Sequence, residues 1–168
     1  MLVLDSNVWI YIATADELPV EIYSDTLGER LYFTEEFYEG RHQTVVSAYM
    51  MEEIQQGLHR SERVEDEEID EALTHLFKLF SSCDGVITTF DDQELRDIVL
   101  REVRQKPHNQ LLGHLLDIQA KDAPIFSLAY EYRYDRPHIL TDDGGFGELS
   151  PAAVGLQNIT IEELSLTW

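Results

Sequence analysis

Apolar residues in this chain fall into short blocks, separated by longer stretches in which they recur every three or four positions. "MLVL" (1–4) is a continuous apolar run cut off by Asp5, Ser6 and Asn7, the pattern of a strand buried on both faces of a parallel sheet. "NVWIYIA" then opens a helix, and residues 14–44, which mix acidic residues with Tyr, Phe and Leu, predict one or two helices over the sheet. "TVVS" is a second strand with Ser47 as N-cap, and Met50, Ile54 and Leu58 behind it make one apolar helical face. "SERVEDEEIDEALTHLFKLF" has acidic first turns suited to a helix N-terminus, followed by Leu73, Leu76, Phe77 and Phe80 at amphipathic spacing. "GVITTF" is a third strand, and "DDQELRDIVLREVRQ" a helix ending near Pro107. "KDAPIFSLAYEYRY" is a helix with Ile125, Leu128, Ala129 and Tyr132 on one face. "HIL" is a fourth strand, "TDDGGFGEL" a polar turn, and "NITI" a last strand before "EEL". The alternation predicts an α/β fold around a mostly parallel sheet.

At 168 residues the chain is expected to form one domain, 1–168, that buries roughly two-thirds of its unfolded surface. Cys83 is alone, so no intramolecular disulfide forms. No apolar stretch approaches the roughly 20 residues of a membrane span, and the N-terminal run lacks a basic leader, so the expectation is a soluble, cytoplasmic protein without membrane association. Charge complicates the choice of partner. The 33 Asp+Glu outweigh the 12 Lys+Arg to give a net charge of -21, and only Lys78, Lys106 and Lys121 are lysines. Such acidity alone argues against a polyanionic ligand. Spread along the chain and poor in lysine, it reads instead as adaptation to the salt-rich cytoplasm of a halophile, where the Debye length falls to about 3 Å at 1 M. A nucleic-acid substrate therefore stays open.

In open parallel sheets the ligand site lies outside the carboxyl ends of the strands. Asp5 follows the first strand, and Asp142 and Asp143 follow the fourth. Asp122 heads the helix before the fourth strand, and Glu53 lies about a turn into the helix after the second. Taken singly, each has a structural explanation: Asp5 and Asp122 as helix caps, Asp142 and Asp143 in a glycine-rich turn, Glu53 on a solvated face. Gathered together they would repel one another unless a cation neutralised them. Hard oxygen ligands without Cys or His suit Mg²⁺ or Mn²⁺, whose natural chemistry here is phosphodiester hydrolysis. The six histidines show no paired ligand spacing, which argues against zinc.

In that order, "LVLDSNVWI", "SAYMMEEIQQGL", "KDAPIFSLAYEY" and "ILTDDGGF" resemble the four acidic motifs of PIN-domain nucleases, which include VapC-like toxin ribonucleases. The resemblance runs from residue 2 to about 164 and implies a three-layer α/β/α fold. It also implies metal-assisted attack of water on a phosphodiester, with RNA as substrate and Mg²⁺ or Mn²⁺ as cofactor. Carried over residue by residue, Asp5, Asp122 and Asp143 are the metal ligands. Glu53, which matches the Glu-x-x-x-Gly register through Gly57 where Glu52 does not, completes the catalytic set. Ser6, Asn7 and Thr141 support these carboxylates, Asp142 is a neighbouring acid of open role, and Gly145 replaces a further aspartate of the pattern. A small antitoxin and a second copy of the chain are the partners the resemblance suggests; Arg133, Tyr134 and Arg136 read as helix-end packing more than as a strand grip. Competing readings are a catalytically inactive interaction module of the same fold and a haloacid-dehalogenase-type phosphatase. The latter fits less well, because Asn7 stands where its second aspartate belongs and no lysine motif follows.

Overall fold

A computed structural model describes residues 1–14, 39–61 and 64–164. Five strands, β1 (Leu2–Leu4), β2 (Thr44–Val46), β3 (Val86–Thr88), β4 (His138–Thr141) and β5 (Thr160–Glu163), form one sheet in the order β3-β2-β1-β4-β5, every neighbouring pair parallel. Val3, Leu4, Val45, Val46, Ile139 and Leu140 are buried, which is why the central strands are continuously apolar. The chain leaves β1 toward β2 and β3, then returns to the other side of β1 for β4 and β5. Right-handed crossovers in the two directions put helices on opposite faces, giving the α/β/α layering. The direction of winding reverses between β1 and β4, so the carboxyl ends of those two strands flank the crevice in which such sheets bind ligands.

On the first face lie α1 (Ser6–Ala13), α2 (Ala48–Arg60) and α3 (Asp66–Ser82), packed against one another. Met50, Ile54 and Leu58 of α2 are fully buried, as their spacing predicts, and Ser47 caps the helix through the Met50 amide. Trp9 of α1 is also fully buried and meets Phe80 edge to face, with ring centroids 5.3 Å apart. Gly57 lets α1 approach: a Cβ there would stand 2.5 Å from the Ile10 Cδ1 methyl. α3 begins on a capping box in which Glu65 and Glu68 bond each other's backbone.

After β3 come α4 (Asp92–Asp97), α5 (Leu100–Arg104), α6 (Pro107–Leu116) and α7 (Ala123–Glu131); α6 packs on α7 and α7 on β4. A short helix α8 (Gly144–Gly147) and a 3₁₀ turn at Pro151–Val154 join β4 to β5. No helix is long and apolar enough to cross a membrane among the described residues.

Four expectations change. The helix expected over 91–105 is two short ones, because Ile98 and Val99 adopt extended backbone between α4 and α5. Pro107 then starts α6 in place of ending a helix, since its missing N–H costs nothing in a first turn. The polar turn after β4 contains α8, capped by Asp143. In α3 the buried stripe is Ile69, Ala72, Leu76 and Leu79, and Phe77 is turned one residue, about 100° of helix, away and is 69% exposed. The helices expected between 14 and 44 fall largely in 15–38, outside the described residues.

The two neighbours in α3 should therefore respond oppositely to truncation. Leu76→Ala is expected to lower the unfolding free energy by about 2–5 kcal/mol in urea titration, and Phe77→Ala to change it by less than about 0.5 kcal/mol.

Candidate active site

The β1–β4 register pairs Leu4 with Leu140, and the Asp5 amide continues the ladder to the Leu140 carbonyl at 2.9 Å. Asp5 therefore leaves the sheet beside Thr141. Asp143 N–H donates to Thr141 Oγ1 (3.0 Å), which directs the Thr141 hydroxyl proton to Asp5 Oδ2 (2.6 Å). Asp5 Oδ1 accepts from the Ser6 amide at 2.6 Å as the cap of α1. Both oxygens are thus held, and the side chain is buried. Ser6 Oγ reaches across to α2 and donates to Glu53 Oε2 at 2.8 Å.

Glu53 sits in a second network. Arg104 Nη2 donates to Glu53 Oε1 at 2.8 Å, and Arg104 Nε donates to Tyr49 Oη at 2.8 Å. Tyr49 Oη lies 2.8 Å from Glu53 Oε1 and 2.9 Å from the Lys121 carbonyl oxygen, so its one proton serves one acceptor at a time. Burial, and then the Glu53 charge, push the Tyr49 phenol far up. The Asn109 side chain donates to the Val103 carbonyl at 2.7 Å, which fixes the turn presenting Arg104.

Asp122 behaves differently. It occupies the N-cap position of α7 in helical conformation, makes no side-chain capping bond and is only 3% exposed. Its nearest cation among the described residues is Lys121 Nζ, 4.0 Å from Oδ1. Burial, opposed by Lys121 and reinforced by the charges of Asp5, Asp143 and Glu53, raises its carboxyl to about 7. Burial likewise raises Asp5, against the hydrogen bonds of Thr141 and Ser6. Asp143 moves the other way: the Lys121 ammonium, 2.6 Å from its Oδ2, holds it below the usual carboxylate range. Lys121 stays charged, since its acidic partners outweigh its burial.

Asp5, Glu53 and Asp122 line one cleft of about 250 Å³, together with Ser6, Asn7, Arg60, Arg104 and Lys121. Lys121 ties Asp143 to this group from the β4 side. Asp142 turns away and accepts from Tyr11 Oη of α1 at 2.6 Å. Glu52 faces along α2 to Gln56, which leaves Glu53 as the residue directed at the cleft. Capping accounts for part of Asp5 and Asp143 and for none of Asp122. Arg133 lies at the opposite end of α7, stacked 4.5 Å from each of the Tyr130 and Tyr134 rings, which is helix-end packing.

Three basic residues of the cleft, Lys121, Arg104 and Arg60, and Tyr49 behind Glu53 lie outside the sequence reading. Lys121 had a signal, as one of three lysines in the chain and the direct neighbour of Asp122. Tyr49 precedes Glu53 by four residues and so shares its helix face. Arg104 had none, because its position depends on the break at Ile98–Val99.

A divalent cation is suited by the donor set, all hard carboxylate oxygens, and most of all by Asp122, whose buried carboxylate has no hydrogen-bond donor among the described residues. No three His, Cys, Asp or Glu side chains among the described residues stand close enough to enclose an ion as they are. The cation between Asp122 and Asp143 is the Lys121 ammonium.

Fold and cleft together define an open, parallel α/β protein with a buried acidic site at the switch point, rimmed by basic side chains. No protein-family model and no curated protein matches the chain. Among solved structures it is similar to VapBC2 from Rickettsia felis bound to a DNA fragment from its promoter, at 15% identity over 96% of this chain and 97% of that one, with a TM-score of 0.46. A likeness this distant transfers neither residues nor activity.

The raised Asp122 carboxyl makes stability depend on pH. Its folded value lies above its unfolded one, so between about 4 and about 7 the folded state holds the extra proton and stability falls as pH rises. Denaturant titrations across that range, without metal, are expected to show this loss with a slope approaching about 1.4 kcal/mol per pH unit. Asp122→Asn, which keeps the neighbouring charges of Lys121, Asp5, Asp143 and Glu53, should remove that component.

Proposed function

We propose that this protein is a divalent-metal-dependent nuclease acting on RNA. The observation that carries the reading is one cleft at the switch point in which buried carboxylates from separate elements share space with Arg60, Arg104 and Lys121. In a chain of net charge -21, three cations gathered around buried acids suit a ligand that brings both a metal and an anion, as a phosphodiester does. The resemblance of the four acidic motifs to PIN-domain nucleases supports the same conclusion.

Asp5, Asp122 and Asp143 would hold the ion, Mg²⁺ or Mn²⁺, which when bound supplies Lewis-acid activation of water and neutralisation of phosphate charge. The remaining chemistry belongs to the chain. Ser6 and Thr141 fix the direction of the acids they bond, as supporting donors do in metal sites. Glu53, held from three sides by Ser6, Tyr49 and Arg104, is the fixed acceptor that orients the attacking water. Arg104 and Arg60 stand at the same cleft and bind phosphate oxygens of the strand, Arg104 through the part of its side chain, 32% exposed, that Glu53 and Tyr49 leave open.

A second reading, a metal-free interaction module of the same fold, is favoured by one observation: Lys121 and Arg104 already neutralise much of the acidic set. Cleavage of a mixed single-stranded RNA separates the two. At about 1 M potassium chloride, wild type with Mn²⁺ is expected to cleave, EDTA to abolish cleavage, and Asp5→Asn to reduce it by about 100-fold or more. Cleavage that survives both chelation and the substitution would overturn the nuclease mechanism. Absence of cleavage by the wild type across Mg²⁺ and Mn²⁺ would favour the module.

A further inference from the structure

Lys121 has an unusual placement for a lysine. Its backbone carbonyl lies 2.9 Å from Tyr49 Oη, itself bonded by Arg104, so the base of the side chain is anchored. Its ammonium lies 2.6 Å from Asp143 Oδ2 and 4.0 Å from Asp122 Oδ1, and its charge also acts on Asp5. One cation thus faces the three carboxylates to which metal binding is assigned, which come from β1, the start of α7 and the end of β4. The side chain is 39% exposed, and a lysine carries its charge on a flexible four-carbon stem. With its base fixed and its head held by side-chain oxygens alone, the ammonium can leave the acids by rotation of its stem, without backbone movement.

We propose that Lys121 is a built-in counter-cation that occupies the acidic site in the metal-free protein and must be displaced for a divalent ion to bind. The inference rests on the metal-dependent reading above and adds to it a control of metal affinity. A divalent ion at Asp122 and Asp143 cannot share their oxygens with an ammonium within contact distance, since like charges at about 4 Å repel strongly even in a partly screened site. Displacement therefore weakens the intrinsic affinity of the acids, while the metal-free state is spared the repulsion of adjacent buried carboxylates. The consequence is a protein that folds without metal and binds it more weakly than the same acids would without the lysine.

Manganese binding tests this without reference to catalysis, by following loss of the free Mn²⁺ electron paramagnetic resonance signal on titration with the full chain. Three variants are compared with wild type. Lys121→Met removes charge and hydrogen bond; Lys121→Gln removes the charge and keeps a donor for Asp143, so that a folded neutral variant is at hand should the first misfold. Lys121→Arg keeps the charge. The neutral variants are expected to bind Mn²⁺ at least about tenfold more tightly than wild type, and Lys121→Arg within about threefold of it. Their melting temperatures without metal should fall below that of wild type, and saturating Mn²⁺ should raise them by more than it raises wild type. Equal or weaker Mn²⁺ binding by a folded neutral variant overturns the counter-cation role while leaving the metal reading standing. Absence of Mn²⁺ binding by wild type and all variants overturns the metal reading, and this inference with it.

Discussion

Carboxylates cannot be buried side by side in a protein unless a cation, hydrogen-bond donors or a proton accompany them, and much of this molecule follows from that constraint. Asp5 and Asp122 are nearly inaccessible, Asp143 is close by, and Glu53 completes a ring of negative charge at the rim of the sheet. Each acid meets the constraint in its own way. Asp5 is surrounded by donors; Glu53 is paired with Arg104; Asp143 takes the lysine. Asp122 receives the least, and its carboxyl is accordingly pushed toward neutrality. The acid least provided for is the one through which the site would respond most strongly to an added cation.

Delivery of these acids is a property of the sheet. Parallel pairing in register brings Asp5 beside Thr141, and a single hydroxyl then links the end of β1 to the backbone of Asp143. Close approach of α1 and α2, permitted by Gly57, sets Ser6 opposite Glu53. A shift of β1 by one residue would move Asp5 off Thr141 and reverse every buried side chain of the strand. The same hydrophobic pattern that specifies the core therefore specifies the geometry of the acids.

That coupling explains which features could be read before the structure. Four strands stand out as short apolar or β-branched runs, while the last begins two residues into "NITI" and includes Glu162 and Glu163; Asp5, Glu53, Asp122 and Asp143 can be placed because each lies a residue or a turn from an element end. Asp142 and Asp143 illustrate the limit, since adjacent acids after a strand point to different sides, one to Tyr11 and the other to Lys121. Arg104 lay beyond reach for a different reason. A helical pattern over 91–105 says nothing of a break at Ile98–Val99, which depends on how the segment packs over α2 and α7. Phe77 was misplaced because a large apolar residue was assumed to face inward, whereas exposed apolar side chains are common on folded surfaces.

The position of Arg104 also separates the cleft into parts that different elements hold in place. The acids are rooted in strand ends and helix starts that the core holds in register, so a change near them disturbs folding. Arg104 instead comes from the segment between β3 and α7, a string of short helices braced by Asn109 that gives Leu100 and Leu116 to the buried core. Changes in that segment before Lys121 can move the guanidinium wall of the cleft without shifting the register that places Asp5 and Asp143, at the cost of a partner for Glu53. One wall of the cleft is therefore set by a segment outside the sheet register that places the acids.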